Sequence, residues 1–135
     1  MRWTDVRNVM QAARAVERAG RSNAGVLVDP IHFDRAGSTL AQLAAIAPQR
    51  LGYVQFCDAP ADRPSTVEEL LRQAPSDRLL PGDGGLDLRR LLHAMPPGVP
   101  LSLEIPQSRR PGLTAHDRAR RAIDATLGLL ASIAD

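Results

Sequence analysis

Three short apolar runs in this chain stop on polar donors. Asp29 and His32 follow Gly25-Val26-Leu27-Val28, Gln55 and Asp58 close the run from Leu51 to Cys57, and Glu104 lies in the run from Leu101 to Ile105. Two carboxylates and an amide oxygen make a hard donor set that suits Mg2+ or Mn2+, and a nearby imidazole extends the choice to Co2+ or Zn2+. Carboxylates can also move protons as general acids and bases. Either chemistry needs these groups to converge. They converge if the runs are neighbouring parallel strands, because ligands in parallel α/β folds bind at the carboxyl ends of the strands.

The rest of the chain supplies what such strands require. The runs are apolar and β-branched without alternation, the pattern of strands buried on both faces. Between them the spacing predicts helices. Thr4 to Ala19 sets Val6, Val9, Met10, Ala13 and Val16 on one stripe, with Thr4 as N-cap and Gly20 past the end. Ser38 caps a short helix bearing Leu40, Leu43 and Ala44, which Pro48 stops. Thr66 and Glu69 form a capping-box pair ahead of Leu70 and Leu71, and a glycine-rich turn, Pro81-Gly82-Asp83-Gly84-Gly85, precedes a helix with Leu88, Leu91 and Leu92. Thr114 and Asp117 open a last helix with Ala119, Ala122, Ile123, Thr126, Leu127 and Leu130 on one face. Helices alternating with strands indicate βα units and a parallel sheet. The stretch from Ala59 to Pro64 reads as a loop, and residues 1–135 read as a single domain.

Composition narrows the function. With 44% hydrophobic and 24% charged residues the chain has the balance of a folded globular protein. Seventeen basic against fifteen acidic residues is too small a surplus to imply nucleic acid. Aromatics at 3% leave little with which to stack bases or sugars. The single cysteine, Cys57, cannot form an internal disulfide, and no apolar run approaches the ~20 residues that span a bilayer. A cytoplasmic location and no membrane contact are the expectations. Asp58 and Arg109 are further candidates for substrate contact, Arg109 because it and Arg110 could neutralise an anion. The ordinary alternatives are an ordered loop for Asp58 and a solvated one for the arginines. The glycine-rich turn could cradle phosphate, but it lacks the lysine and serine of a P-loop.

Several strings, taken in order, carry a family resemblance. Gly25-Val26-Leu27-Val28-Asp29-Pro30-Ile31-His32-Phe33 resembles the D-x-x-H-F/M segment after the sixth strand of the sugar phosphate isomerase/epimerase family, of the xylose isomerase-like TIM-barrel superfamily. Tyr53-Val54-Gln55-Phe56-Cys57-Asp58-Ala59-Pro60 is similar to its seventh strand, Pro81-Gly82-Asp83-Gly84 to its P-G-x-G loop, and Leu103-Glu104-Ile105-Pro106 to its eighth strand. Trp3-Thr4-Asp5 resembles the residues following its fifth strand.

The resemblance implies a partial (β/α) barrel built from the last three of eight strands. It implies Asp29, Gln55 and Glu104 as ligands of a divalent cation, His32 as a contact to a substrate hydroxyl, and Glu104 also in proton transfer. The implied activity is isomerisation or epimerisation of a sugar or sugar-like carbonyl compound. Many family members have histidine where this chain has Gln55. Glutamine there is similar to the 3-dehydroshikimate dehydratases, which keeps a lyase reading open. The family's fifth-strand glutamate would lie a few residues before Met1. The expectations for the chain alone are therefore negligible activity and either self-association or pairing with a complementary half, or else poor solubility and partial unfolding, with a non-catalytic fragment as the rival reading.

Overall fold

The structure, a computed structural model, describes residues 4–107 and 112–134. Helix α1 (Val9–Ala19) starts at Asn8, whose side chain accepts the Gln11 N–H, and stops at Gly20 in the left-handed conformation with φ 61°. The helix begins later than the sequence spacing suggests. Thr4 spends its hydroxyl on the Val6 carbonyl, whereas Asn8 caps the helix while the Gln11 side chain accepts the Arg7 N–H.

Strand β1 (Val26–Val28) runs into α2 (Pro30–Arg35), a short helix the sequence reading did not contain. Asp29 caps it by accepting the Ile31 and His32 N–H groups, and Pro30 sits in its first turn, where a missing N–H does no harm. Helix α3 (Leu40–Ala44) is capped by Thr39 and not by Ser38. Thr39 and Gln42 satisfy each other's backbone N–H groups reciprocally, which frees the Ser38 hydroxyl to accept the Val9 N–H. Strand β2 (Leu51–Phe56), helices α4 (Val67–Ser76) and α5 (Leu88–His93), strand β3 (Leu101–Leu103) and helix α6 (Ala115–Ala134) complete the order.

The strands form one parallel sheet in the order β1-β2-β3. Val28 pairs with Val54, and Gln55 with Ser102. The register slips between Val26, opposite Leu51, and Leu27, opposite Tyr53, so Gly52 is left over as a bulge. The helix-facing side is a continuous core of Val26, Val28, Leu51, Val54 and Phe56 with Val9 and Ala13 of α1, Leu43, Leu88 and Leu91.

The other side is open. Leu27 and Tyr53 are each 38% exposed, so these strands are not buried on both faces as their composition suggests. The apolar pattern is that of barrel strands, whose inner face is filled only when side chains arrive from all around the ring. The last helix shows the same one-sidedness. Ala122 and Thr126 are buried, but Ile123 and Leu127 from the same expected stripe are 49% and 60% exposed. Among the described residues no helix is long and apolar enough to cross a membrane.

Both β1 and β3 present an unpaired edge within this sheet, and neither carries a lysine. The 135-residue chain alone is expected to associate in a concentration-dependent way through these edges and the open inner face. Sedimentation velocity with amide exchange checks this: a stable monomer with strongly protected amides at Val26–Val28 and Leu101–Leu103 would contradict it.

Candidate functional site

Parallel pairing brings the polar ends of the three strands to one end of the sheet. Side chains alternate along a strand, so Gln55 shares the open face with Tyr53, and Glu104 shares it with Ser102. Asp29, His32, Gln55 and Glu104 line a single cavity of about 530 Å3, which extends along β1 to Val9 and Ala12 of α1.

A residue that the sequence reading passed over organises this cavity. Arg78 follows α4 on a segment threaded across the strand ends. Leu79 bridges antiparallel to Asp58 beyond β2, and Asp77 bridges to Gln107 beyond β3. The Arg78 N–H donates to the Pro106 carbonyl, and its Nε donates at 2.8 Å to the Ala74 carbonyl in the last turn of α4. The last carbonyls of a helix have no intrahelical partner, and the carboxyl end of a helix favours a cation. Nη1 then reaches Asp29 Oδ2 at 2.8 Å, Glu104 Oε2 at 3.4 Å, the Glu104 carbonyl at 3.3 Å and Cys57 Sγ at 3.5 Å. Burial opposes the charge on Arg78, but Asp29 and its neighbours outweigh that and hold its pKa above the ordinary arginine value. The signal was a lone arginine between a helix and a glycine turn. Nothing in that spacing says where it points.

Asp29 is 4% exposed and fully engaged, with Oδ1 on the helix α2 N–H groups and Oδ2 on Arg78. The Glu104 side chain is far more open, at 42% exposure. His32 Nε2 lies 3.9 Å from Asp29 Oδ2. Burial lowers the His32 pKa, Asp29 opposes the shift and Arg78 adds to it, and the net effect favours the neutral imidazole. Burial also pushes the Cys57 thiol up to about 12, which makes it a packed side chain rather than a nucleophile.

Asp58, expected to contact substrate, is placed elsewhere. It is 1% exposed, and its carboxylate accepts the N–H groups of Ala59, Gly82, Gly84 and Leu86 at 2.8–3.2 Å. The glycine-rich loop therefore does surround an anion, but the anion is the chain's own carboxylate. At Gly84 a Cβ would collide with the Asp58 carboxylate and the Ala59 carbonyl, so the glycine is there for close approach. Arg109 and Trp3 lie outside the described residues.

Asp29, Gln55 and Glu104, with His32 beside them, are the groups here that could hold a cation. The buried Nη1 of Arg78, held by both carboxylates, is a positive charge already standing in such a position. By chemical type these donors, two carboxylates with an amide oxygen and an imidazole, suit a divalent ion. Among the described residues no three His, Cys, Asp or Glu side chains stand together as a group that could hold a metal.

Residues 1–129 match the family model described as xylose isomerase-like TIM barrel. No curated protein matches the sequence. Among solved structures, the IolI protein with a bound zinc atom aligns at TM-score 0.81 and 23% identity, covering 95% of this chain and 45% of that one. A xylose isomerase-like TIM barrel/4-hydroxyphenylpyruvate dioxygenase fusion protein aligns at TM-score 0.70 and 24% identity, over 88% of this chain and 19% of the other. A xylose isomerase domain protein from Alicyclobacillus acidocaldarius subsp. acidocaldarius aligns at TM-score 0.65 and 29% identity, over 87% and 40%. The chain thus spans less than half the length of each.

Three outcomes are expected from this geometry. Asp58→Asn leaves buried N–H groups facing a weaker acceptor and should destabilise the chain by about 2–3 kcal/mol, and Gly84→Ala by about 1–3 kcal/mol through overpacking. Urea unfolding midpoints measure both, and unchanged midpoints would contradict the role of the loop. Cys57 should resist iodoacetamide at pH 8 in the folded chain and react readily once unfolded; equal rates would contradict its burial.

Proposed function

Because the chain belongs to the xylose isomerase-like TIM barrel family, we propose that it forms one side of a cytoplasmic site for a sugar or sugar-like carbonyl substrate. There a proton would be moved beside the carbonyl, as in a sugar isomerase or epimerase. The single observation that carries this reading is the cavity onto which Asp29, His32, Gln55, Arg78 and Glu104 converge from the ends of adjacent parallel strands and the segment between them.

Asp29, Gln55 and Glu104 would hold a divalent cation, Mn2+ or Mg2+ in first place and Co2+ or Zn2+ as alternatives. The zinc atom of the IolI protein is that protein's own, and it supports the cation reading by likeness of fold. When bound, such a cation would polarise the substrate's carbonyl and hydroxyl oxygens. Glu104, the more exposed of the two carboxylates, would accept and return the proton at its carboxylate oxygen. His32, whose burial favours the neutral ring, would orient a substrate hydroxyl through its ring nitrogen. Moving a proton between faces or between carbons takes a second acid/base group, and that group would come from outside the described residues.

Gln55 favours a second reading, a lyase resembling the 3-dehydroshikimate dehydratases. Profiling ketoses against 3-dehydroshikimate separates the two.

The 135-residue chain with Mg2+ is expected to bind a ketose such as fructose, tagatose or psicose. Amide shift changes should be confined to Asp29, His32, Gln55 and Glu104 and lost in Glu104→Gln. Turnover by the chain alone should fall short of ordinary enzyme rates by at least the ~10²–10⁴-fold that one general acid/base contributes. A folded chain that binds none of these sugars would count against the sugar reading, and rapid turnover against the need for a second group.

A further inference from the structure

We propose that Arg78 and a divalent cation are alternative occupants of the space between Asp29 and Glu104. Arg78 is then a positioning residue that keeps the two carboxylates together without metal and leaves them when metal binds. This rests on the reading of Asp29 and Glu104 as cation ligands.

The competition follows from how few oxygens are open. Asp29 Oδ1 is committed to the Ile31 and His32 N–H groups that start α2, so Oδ2 is the oxygen left for a cation. That oxygen is held by Arg78 Nη1 at 2.8 Å, and the same nitrogen lies 3.4 Å from Glu104 Oε2. Both side chains of the Asp29–Arg78 pair are 3% exposed, so water screens little of the repulsion between a guanidinium and a divalent ion sharing these oxygens.

A displaced guanidinium also has a destination. Arg78 forms part of the wall between the site cavity and a second cavity of about 570 Å3. That second cavity is lined by Asp62, Glu69 and Asp77 together with Arg63 and Arg72, and Arg72 already lies 3.2 Å from Asp77 and 3.9 Å from Glu69. Arg78 could turn about its anchored backbone toward that cavity, where it would share Asp77 and Glu69 with Arg72. Its Nε bond to the Ala74 carbonyl is what it would give up.

Calorimetric titration of the full chain with MnCl2 and with ZnCl2 tests this, comparing the unchanged protein with Arg78→Met and Arg78→Lys. Removing the competing charge should tighten binding by about tenfold or more in Arg78→Met, the scale on which neighbouring groups tune metal sites. Arg78→Lys keeps a charge but loses the Ala74 anchor, so its affinity should fall between the two. A merely structural role for Arg78 gives the opposite sign, because loosened carboxylates bind metal more weakly.

Equal or weaker binding by a folded Arg78→Met, beside measurable binding by the unchanged chain, would overturn the competition and leave the cation reading standing. No binding by any of the three folded proteins would overturn the cation reading and this proposal with it. If Arg78→Met folds only when MnCl2 is added, the proposal is supported. If it does not fold even then, Arg78→Lys decides: tighter binding than the unchanged chain supports the proposal, and binding no tighter overturns it.

Discussion

The buried ion pair between Asp29 and Arg78 is the interaction on which the strand ends depend. It joins the end of β1 to the segment after α4, and through the same Nη1 it reaches Cys57 beyond β2 and Glu104 beyond β3. Taking two charges out of water is costly, and such pairs persist only when the remaining lone pairs and protons find partners. Here they do. Asp29 caps α2 with its other oxygen, and Arg78 closes the end of α4 through Nε. Removing one partner of such a pair costs about 3–5 kcal/mol because the other is left buried and uncompensated.

Asp58 does for the loops what Asp29 does for the strand ends. Its carboxylate gathers four backbone N–H groups and fixes the turn from Gly82 to Leu86, which leads into α5. It also holds the bridge to Leu79 that carries Arg78 across the sheet. Two buried carboxylates, each just past one of two neighbouring strands, thus divide the work: Asp58 orders backbone, and Asp29 pairs with the charge that lines the cavity. Only the second stands where a ligand could exchange with its partner.

The sheet is asymmetric in the same sense. Its helix-facing side is a close-packed core, while Leu27 and Tyr53 stay partly exposed on the other side, together with the cavity residues. A site on the inner wall of a barrel needs side chains from several strands to exclude water, and this chain contributes one arc of that wall. The cavity that Asp29, Gln55 and Glu104 line is correspondingly an open one, continuous with the unpaired edge of β1.

Much of this was legible along the chain, because it depends on neighbours in sequence. Apolar β-branched runs ending on Asp29, Gln55 and Glu104, alternating with capped helices, determined the parallel α/β architecture and which end of it carries polar groups. Thr66 and Asp117 stand at helix starts as the spacing suggests. Cap choice between adjacent candidates was not legible, since Asn8 against Thr4 and Thr39 against Ser38 turned on which side chain another element needed. Nor was the difference between Asp29 and Asp58, both carboxylates just past a strand. Only the tertiary structure decided that Asp58 points into the glycine turn and that Arg78, 49 residues from Asp29, reaches back to it. A carboxylate's role depends on which donors the fold brings within about 3 Å of it, and for buried groups those donors come from far along the chain, where local spacing holds no information.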